Sequence, residues 1–284
     1  MDVFVHGGAG SAPAQPDDRQ AVLDEAATAG TAGADPVDAV IEAVTVLEES
    51  PRFNAGIGSA VQSDGRIRTD AGIMTGDGSV GAACGMPDVA NAIRVADAVR
   101  TETPHVLLCG EHAVQFADRF EIRTDVDLWT DRRRSQWENE DLGGASFDTQ
   151  VRTVRDRFGA GADTVGAVAS DGSRVAAATS TGGRWLALAG RVGDVPQVGC
   201  GFFASTHGAV STTGAGEGIA SVTLARLAER HLAESGDPQH AAEYSLRTFD
   251  TEAEGSAGLI VITPDGERGS AYSSEVMQTA FAAV

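Results

Sequence analysis

The chain has 284 residues, 42% of them hydrophobic but only 5% aromatic, with 35 glycines, so it can bury one large core or two small ones, built from Ala and Val layers rather than a few large anchors. Its net charge is −20 and all 21 basic residues are arginine, which leaves too few cations to neutralise phosphates and excludes nucleic acid and anionic membranes as partners. So acidic a surface reads as one hydrated in a salt-rich cytoplasm, as in halophiles.

In chain order, residues 2–6 predict a short strand running into Gly7-Gly8-Ala9-Gly10. Residues 17–30 predict a helix. A second helix starts after Asp35, with Asp35 as N-cap, Pro36 at the first position and Val37, Val40, Ile41, Val44 and Leu47 on one apolar face. A polar loop, ESPRFNAGIGS, follows. Residues 65–73 and 80–86 suit paired strands. Residues 88–99 and 105–118 predict helices, each just after a proline. From about 120 to 162 the chain loses periodicity, and TDRRRSQWENEDLGG reads as a solvated, flexible linker. Order returns at Thr164: TVGAVAS, a DG turn and RVAAATS predict a β-hairpin. HGAVSTTG predicts a strand leading into a helix at about 217–233. A helix at 239–249 and a last hairpin, GLIVIT to RGSAYSS, complete the chain. Strand pairs mixed with helix pairs point to an α+β layered sandwich rather than a regular parallel sheet.

Cys84, Cys109 and Cys200 have no metal-ligand spacing and read as small core residues of a protein in a reducing compartment. The start of the chain has no signal-like segment. No run approaches the roughly 18 apolar residues of a membrane span. A soluble, cytoplasmic protein is expected.

The chemistry centres on Asp163-Thr164-Val165-Gly166. A threonine hydroxyl is a weak nucleophile and needs a base. A chain break before Thr164 creates an α-amine on the nucleophile's own residue, with a pKa of about 7.7–8. That amine can take the hydroxyl proton and later return it to a leaving amine. Activity then depends on self-cleavage between Asp163 and Thr164. The hairpin brings Thr181, in TSTGG, near Thr164, where its hydroxyl can bond the nucleophile. In GRVGD, Arg191 can grip a carboxylate and Asp194 an ammonium, which fits the two α-groups of a free amino acid. Thr213 and the backbone of Gly214, in TGAGE, can form an oxyanion hole. If Arg191 and Asp194 hold both α-groups, the bond attacked must lie on a side-chain β-carbonyl, as in L-asparagine and β-aspartyl peptides. Taken singly, each cluster also reads as ordinary: a strand start, a turn, a surface ion pair, a glycine loop.

HGGAG at 6–10, FNAGIGS at 53–59, TVGAV at 164–168, AAATSTGG at 176–183, GRVGD at 190–194 and TGAGE at 213–217 together resemble the plant-type L-asparaginase/isoaspartyl peptidase family of N-terminal nucleophile (Ntn) hydrolases. The resemblance implies an αββα four-layer sandwich over 1–284, cut autocatalytically into an alpha subunit, 1–163, and a beta subunit, 164–284, and assembled as a dimer of cleaved pairs. It implies Thr164 as nucleophile, Thr181 as its hydroxyl partner, Arg191 and Asp194 as substrate ligands, and Thr213 with Gly214 as oxyanion hole. It adds Asn54 as a support of the nucleophile. It also implies a structural sodium loop with ligands from Leu47, Glu48, Ser50, Phe53, Ala55 and Ile57, and no cofactor for catalysis. Two features depart from the family pattern. Residues 184–189, RWLALA, are apolar where a polar stretch is usual, and the loop at 70–78 is longer.

Three alternatives stand beside this reading. Glycosylasparaginases share the Asp-Thr junction, and threonine-aspartases are a more distant branch. An α/β-hydrolase esterase would use HGGAG as oxyanion loop and Ser180 as nucleophile on an elbow. An unprocessed homologue would bind aspartate-like ligands without turnover.

Overall fold

Strand β1 (Asp2–Gly10) sends Val3 and Val5 into one apolar cluster and Phe4 into another. Alternation along a strand puts neighbours on opposite faces, so a strand apolar on both faces must be covered on both. The computed structural model describes residues 1–140, 142–157 and 163–284, and it covers β1 in this way.

β1 lies in a seven-stranded sheet with β2 (Arg68–Thr75), β3 (Val80–Pro87), β4 (Leu107–Cys109), β5 (Val165–Ser170), β6 (Val175–Thr181) and β11 (Val276–Ala283), in the order β11-β1-β5-β6-β2-β3-β4. A four-stranded sheet runs β10 (Arg268–Tyr272), β9 (Ala257–Ile262), β8 (Gly208–Gly214), β7 (Phe202–Ser205). The two sheets face each other through β5, β6 and β8. Helices α1 (Pro16–Gly30), α2 (Pro36–Glu49) and α3 (Ala92–Glu102) cover the outer face of the large sheet. The small sheet's outer face carries the helices at 224–235 and 238–252. The αββα order implied by the resemblance is therefore the order of layers. One core lies between α1–α3 and the large sheet; the other fills the space between the sheets and under the last two helices.

α2 begins as predicted: Asp35 Oδ1 accepts the backbone NH groups of Val37 and Asp38 at 2.9 and 3.0 Å, with Pro36 in the first turn. Elsewhere tertiary pairing overrides the local pattern. The helix expected at 105–118 opens instead as β4, paired in parallel with Ala82–Cys84 of β3, before α4 (Gly110–Arg119). The helix expected at 217–233 is two, α7 (Gly216–Val222) and α8 (Leu224–Ser235), broken where Thr223 takes a φ of 50°. The break lets Ala225 and Arg226 donate to the carbonyls of Cys200 and Gly199 at 3.2 and 2.9 Å. α9 (Pro238–Glu252) follows. β7 and β11 were not foreseen; β11 pairs antiparallel with β1.

The expected linker at about 120–163 is another correction, since it holds α5 (Asp131–Glu138) and α6 (Phe147–Arg157). Thr130 caps α5, its hydroxyl accepting from Arg133 N at 3.2 Å. Neither helix buries a residue, but Leu128 and Leu142 beside them are buried. Residues 141 and 158–162 of that stretch lie outside the described residues. Cys84 and Cys200 are buried as expected; Cys109, at the end of β4, is exposed. Among the described residues no helix is long and apolar enough to cross a membrane.

Candidate active site

The hairpin β5–β6 sets the register of the site. Val165 lies opposite Ser180, and one residue back Thr164 meets Thr181: the Thr164 hydroxyl donates to Thr181 Oγ1 at 3.2 Å. Both residues are buried. Thr181 Oγ1 also accepts from Gly183 N at 3.0 Å, and its own hydrogen reaches the Asp163 carbonyl oxygen at 3.4 Å. The same carbonyl accepts from Asn54 Nδ2 at 2.7 Å. Asn54 is itself fixed: Nδ2 donates to Gly183 O at 2.6 Å, Oδ1 accepts from Ala60 N at 2.7 Å, and its backbone carbonyl accepts from Gly182 N at 2.8 Å. An amide and a hydroxyl thus grip the carbonyl that precedes Thr164, with the Thr164 hydroxyl next to it.

From the facing sheet, β8 brings Thr213 to the other side of the junction. Its hydroxyl oxygen accepts from Thr164 N at 3.2 Å and from Ala9 N at 3.3 Å. Two N–H donors occupy both lone pairs, so the hydroxyl hydrogen is left to donate to a third group. Gly214 follows it at the end of β8. The sheets can approach this closely because residue 166 is glycine: a Cβ there would stand 1.9 Å from Ser211 Oγ. His6 bonds Ser211 Oγ through Nε2 at 2.8 Å, and burial pushes its pKa down to about 3, so it is a neutral member of the sheet interface.

Arg191 and Asp194 converge beside Gly216 at the start of α7. A Cβ on Gly216 would lie 2.6 Å from Asp194 Oδ1 and 2.8 Å from Arg191 Nη2. Arg191 Nη2 and Asp194 Oδ2 are buried and have no hydrogen-bond partner among the described residues. Buried polar groups are ordinarily paired, so this arrangement suits a ligand carrying both a carboxylate and an ammonium. Burial pushes Asp194 up to about 6, against the opposing pull of its own backbone NH and of Arg191. A cavity of about 250 Å³ opens beside Gly214, lined also by Gly10, Arg184, Ser256 and Ser274.

Three charged residues of the site escaped sequence reasoning. Glu217 accepts from Arg191 Nε at 2.8 Å and lies 3.5 Å from Arg184 Nη1; it stood inside the TGAGE motif. Asp70, buried in β2, accepts from Gly85 N at 2.7 Å, and burial raises its pKa to about 7 despite the charge of Arg191. An acid inside an apolar strand run was its only signal. Arg19, on α1, donates to the Gly7 carbonyl and reaches Asp163 Oδ2 at 3.5 Å; nothing local marked it.

Ser180 is not on an elbow. It lies within β6, buried, and donates to Glu48 Oε1 at 2.6 Å, and the chain turns after Thr181 instead of entering a helix. Ser180 therefore lacks the geometry of an esterase nucleophile.

The loop after α2 curls so that its carbonyls alternate in use. Asn54, Gly56 and Gly58 oxygens accept from Gly182 N, Ser59 N and Arg133 Nε, whereas those of Phe53, Ala55 and Ile57 accept no hydrogen bond from the described residues. The Leu47, Glu48 and Ser50 oxygens accept from Ser50, Ile57 and Phe53 N at 3.3, 2.8 and 3.4 Å, each with a lone pair to spare. Six neutral oxygens at a helix C-terminus fit a hard monovalent cation. The Glu48 side chain is turned away, to Ser180 and Ile93 N.

A protein-family model described as asparaginase matches residues 1–284. Among curated proteins, an isoaspartyl peptidase/L-asparaginase of Bos taurus is 41% identical over 292 residues, covering 99% of this chain and 92% of its own. One of Homo sapiens is 39% identical over 294 residues, with the same coverage. A plant-type L-asparaginase of Pyrobaculum calidifontis is 40% identical over 289 residues, covering 97% of this chain and 94% of its own.

Proposed function

The chain belongs to the asparaginase family, and from that premise we propose that it is an amidohydrolase that cuts itself before Thr164 and then hydrolyses the β-amide of L-asparagine and of β-aspartyl dipeptides. The observation that carries the reading is the grip of Asn54 Nδ2 on the Asp163 carbonyl at 2.7 Å, with Thr164 Oγ1 held by Thr181 at 3.2 Å beside it.

In self-cleavage the Thr164 oxygen attacks the Asp163 carbonyl carbon. Asn54 and the Thr181 hydroxyl stabilise the oxygen as it gains charge. The C–N bond breaks, the hydroxyl proton ends on the Thr164 nitrogen, and an ester remains. Water then splits the ester, leaving a carboxylate on Asp163 and a free amine and hydroxyl on Thr164.

In the cut protein the Thr164 amine takes the hydroxyl proton as the oxygen attacks the substrate's β-carbonyl carbon. The Thr213 hydroxyl and Gly214 NH stabilise the oxyanion. The C–N bond breaks, and the Thr164 ammonium gives its proton to the leaving nitrogen. Water, deprotonated by the same amine, releases aspartate. Arg191 holds the α-carboxylate and Asp194 the α-ammonium, which fixes attack on the β-carbonyl.

A sodium ion on the 47–57 carbonyls would tie the end of α2 to the loop carrying Asn54 and supply no chemistry to the reaction. The working form is a dimer of cleaved pairs in the cytoplasm, in keeping with three free cysteines.

Denaturing mass spectrometry tests the first half: two chains are expected, the smaller beginning at Thr164. Ammonia release from L-asparagine and aspartate release from β-Asp-Gly test the second. Thr164→Ala must stay uncut and inactive while folded; a cut or active Thr164→Ala protein overturns the reading. Thr164→Ser keeps the hydroxyl without the methyl that restricts χ1, and is expected to cut and turn over more slowly.

A further inference from the structure

Beside the junction lies a second cavity, of about 310 Å³, in which, among the described residues, the charged side chains other than Asp163 are arginines: Arg19, Arg52, Arg132 and Arg133. In a chain of net charge −20, such a lining marks a place for an anion. Arg52 is neutralised by Asp18 at 2.9 Å. Arg132 has no hydrogen bond or ion pair among the described residues. Arg133 uses Nε on the Gly58 carbonyl at 2.8 Å and Nη1 on Gln136 Oε1 at 3.1 Å, which leaves Nη2 to face a ligand, and it stacks 5.4 Å from the Trp185 ring, whose residue also lines the cavity. Arg19 lies 3.5 Å from Asp163 Oδ2. The uncut chain thus presents its own carboxylate to the site.

The chemistry of the cut protein says what replaces that carboxylate. The leaving nitrogen must take its proton from the Thr164 amine, so it must lie a hydrogen bond from that nitrogen. The space bonded to that nitrogen in the uncut chain is filled by Asp163. A leaving nitrogen near the place of Asp163 Cα carries its carboxylate two bonds further on, as Asp163 Cα does. The residue released from a β-aspartyl dipeptide therefore sets its α-carboxylate among the same guanidinium groups. Ammonia, released from asparagine, has nothing to offer them.

We propose that this arginine-lined cavity is the leaving-group subsite, that Arg132 and Arg133 bind the α-carboxylate of the departing residue, and that the enzyme prefers β-aspartyl dipeptides with a free C-terminus over L-asparagine. The inference rests on the function proposed above and adds the substrate class within it.

The test compares kcat/KM of the cut protein for β-Asp-Gly, β-Asp-glycinamide and L-asparagine, in the wild type, Arg132→Gln and Arg133→Gln. The two dipeptide derivatives differ only in the terminal carboxylate. The wild type is expected to favour the acid over the amide by about tenfold or more, the scale of a charge-assisted bond. That ratio should fall several-fold in each variant and be partly restored in Arg133→Lys. Arg132 is exposed and has no hydrogen bond or ion pair among the described residues, so Arg132→Gln carries the test if Arg133→Gln fails to fold. A wild-type ratio near one, or a ratio untouched by Arg132→Gln and Arg133→Gln, overturns the subsite while leaving the function standing. Failure of the cut wild type to hydrolyse any of the three overturns the function instead.

Discussion

Asn54 Nδ2 lies 2.7 Å from the carbonyl oxygen of Asp163, although the two residues stand 109 positions apart in the chain. The amide is held by three further hydrogen bonds of its residue, so it meets the carbonyl already oriented. A preorganised donor at a developing oxyanion contributes roughly a hundred- to a thousand-fold in rate.

Asn54→Ala is accordingly expected to slow self-cleavage by about two to three orders of magnitude, with the precursor folded and Thr164 intact. The rate is read from the appearance of the fragment beginning at Thr164 in a mass-spectrometric time course. Cleavage of Asn54→Ala at the wild-type rate would mean that the Thr181 hydroxyl, at 3.4 Å, suffices alone.

A second prediction concerns the fold. Asp35 accepts two backbone NH groups at the start of α2, the helix that packs on β5 and β6 beneath Thr164. Asp35→Ala should cost about 1 kcal/mol, read as a loss of a few degrees in the melting temperature of the purified protein. Self-cleavage should proceed, because no group at the junction is touched. An unchanged melting temperature would show that water replaces the cap at no cost.

That helix start was legible because its signals are local: an acceptor at the cap, a proline in the first turn, an apolar stripe. Thr164, Thr181, Arg191, Asp194 and Thr213 stood out for a different reason, since each sits in a short motif whose residue types match one chemistry, and the structure brings Thr181 and Thr213 to Thr164 and Arg191 to Asp194. Arg19 and Asp70 were not, because their roles exist only across the layers, between α1 and the junction or between β2 and Arg191. The helices at 131–138 and 147–157 were missed because their faces stay solvated and show no apolar period. The break at Thr223 was hidden because its cause, the carbonyls of Gly199 and Cys200, lies more than twenty residues away.

Under the proposed function, a change at Gly216 separates binding from self-cleavage. Its missing Cβ is what lets Arg191 Nη2 and Asp194 Oδ1 come together, at 2.8 and 2.6 Å from the place it would take. Gly216→Ala should push the two apart and raise KM for L-asparagine by about tenfold, the loss of a charge-assisted bond. The Asp163 carbonyl is gripped elsewhere, so the variant should still cut itself at the wild-type rate. Normal KM in a fully cut Gly216→Ala protein would remove both residues from the substrate site.

With Asp194 as the proposed partner of the substrate ammonium, binding has a pH dependence whose sign can be worked out. Burial raises its pKa from the ordinary carboxylate range to about 6, and only the ionised form attracts an ammonium. L-aspartate keeps its α-ammonium and its carboxylates charged between pH 5 and 7, so the change in that window falls on the protein. The Kd of L-aspartate, measured by calorimetry on the cut protein, should be flat near pH 7 and rise as pH falls through about 6, approaching tenfold per unit. In the unliganded protein the same shift has the opposite consequence. A raised carboxyl pKa contributes stability that is complete below its unfolded value and is lost as pH rises through about 6. The ligand's ammonium offsets that loss, so the rise in melting temperature caused by a fixed L-aspartate concentration should grow from pH 5 to pH 7. In Asp194→Asn this pH-dependent part should vanish together with most of the affinity; a slope kept by Asp194→Asn would assign the titration to another group, such as Asp70, which burial raises to about 7.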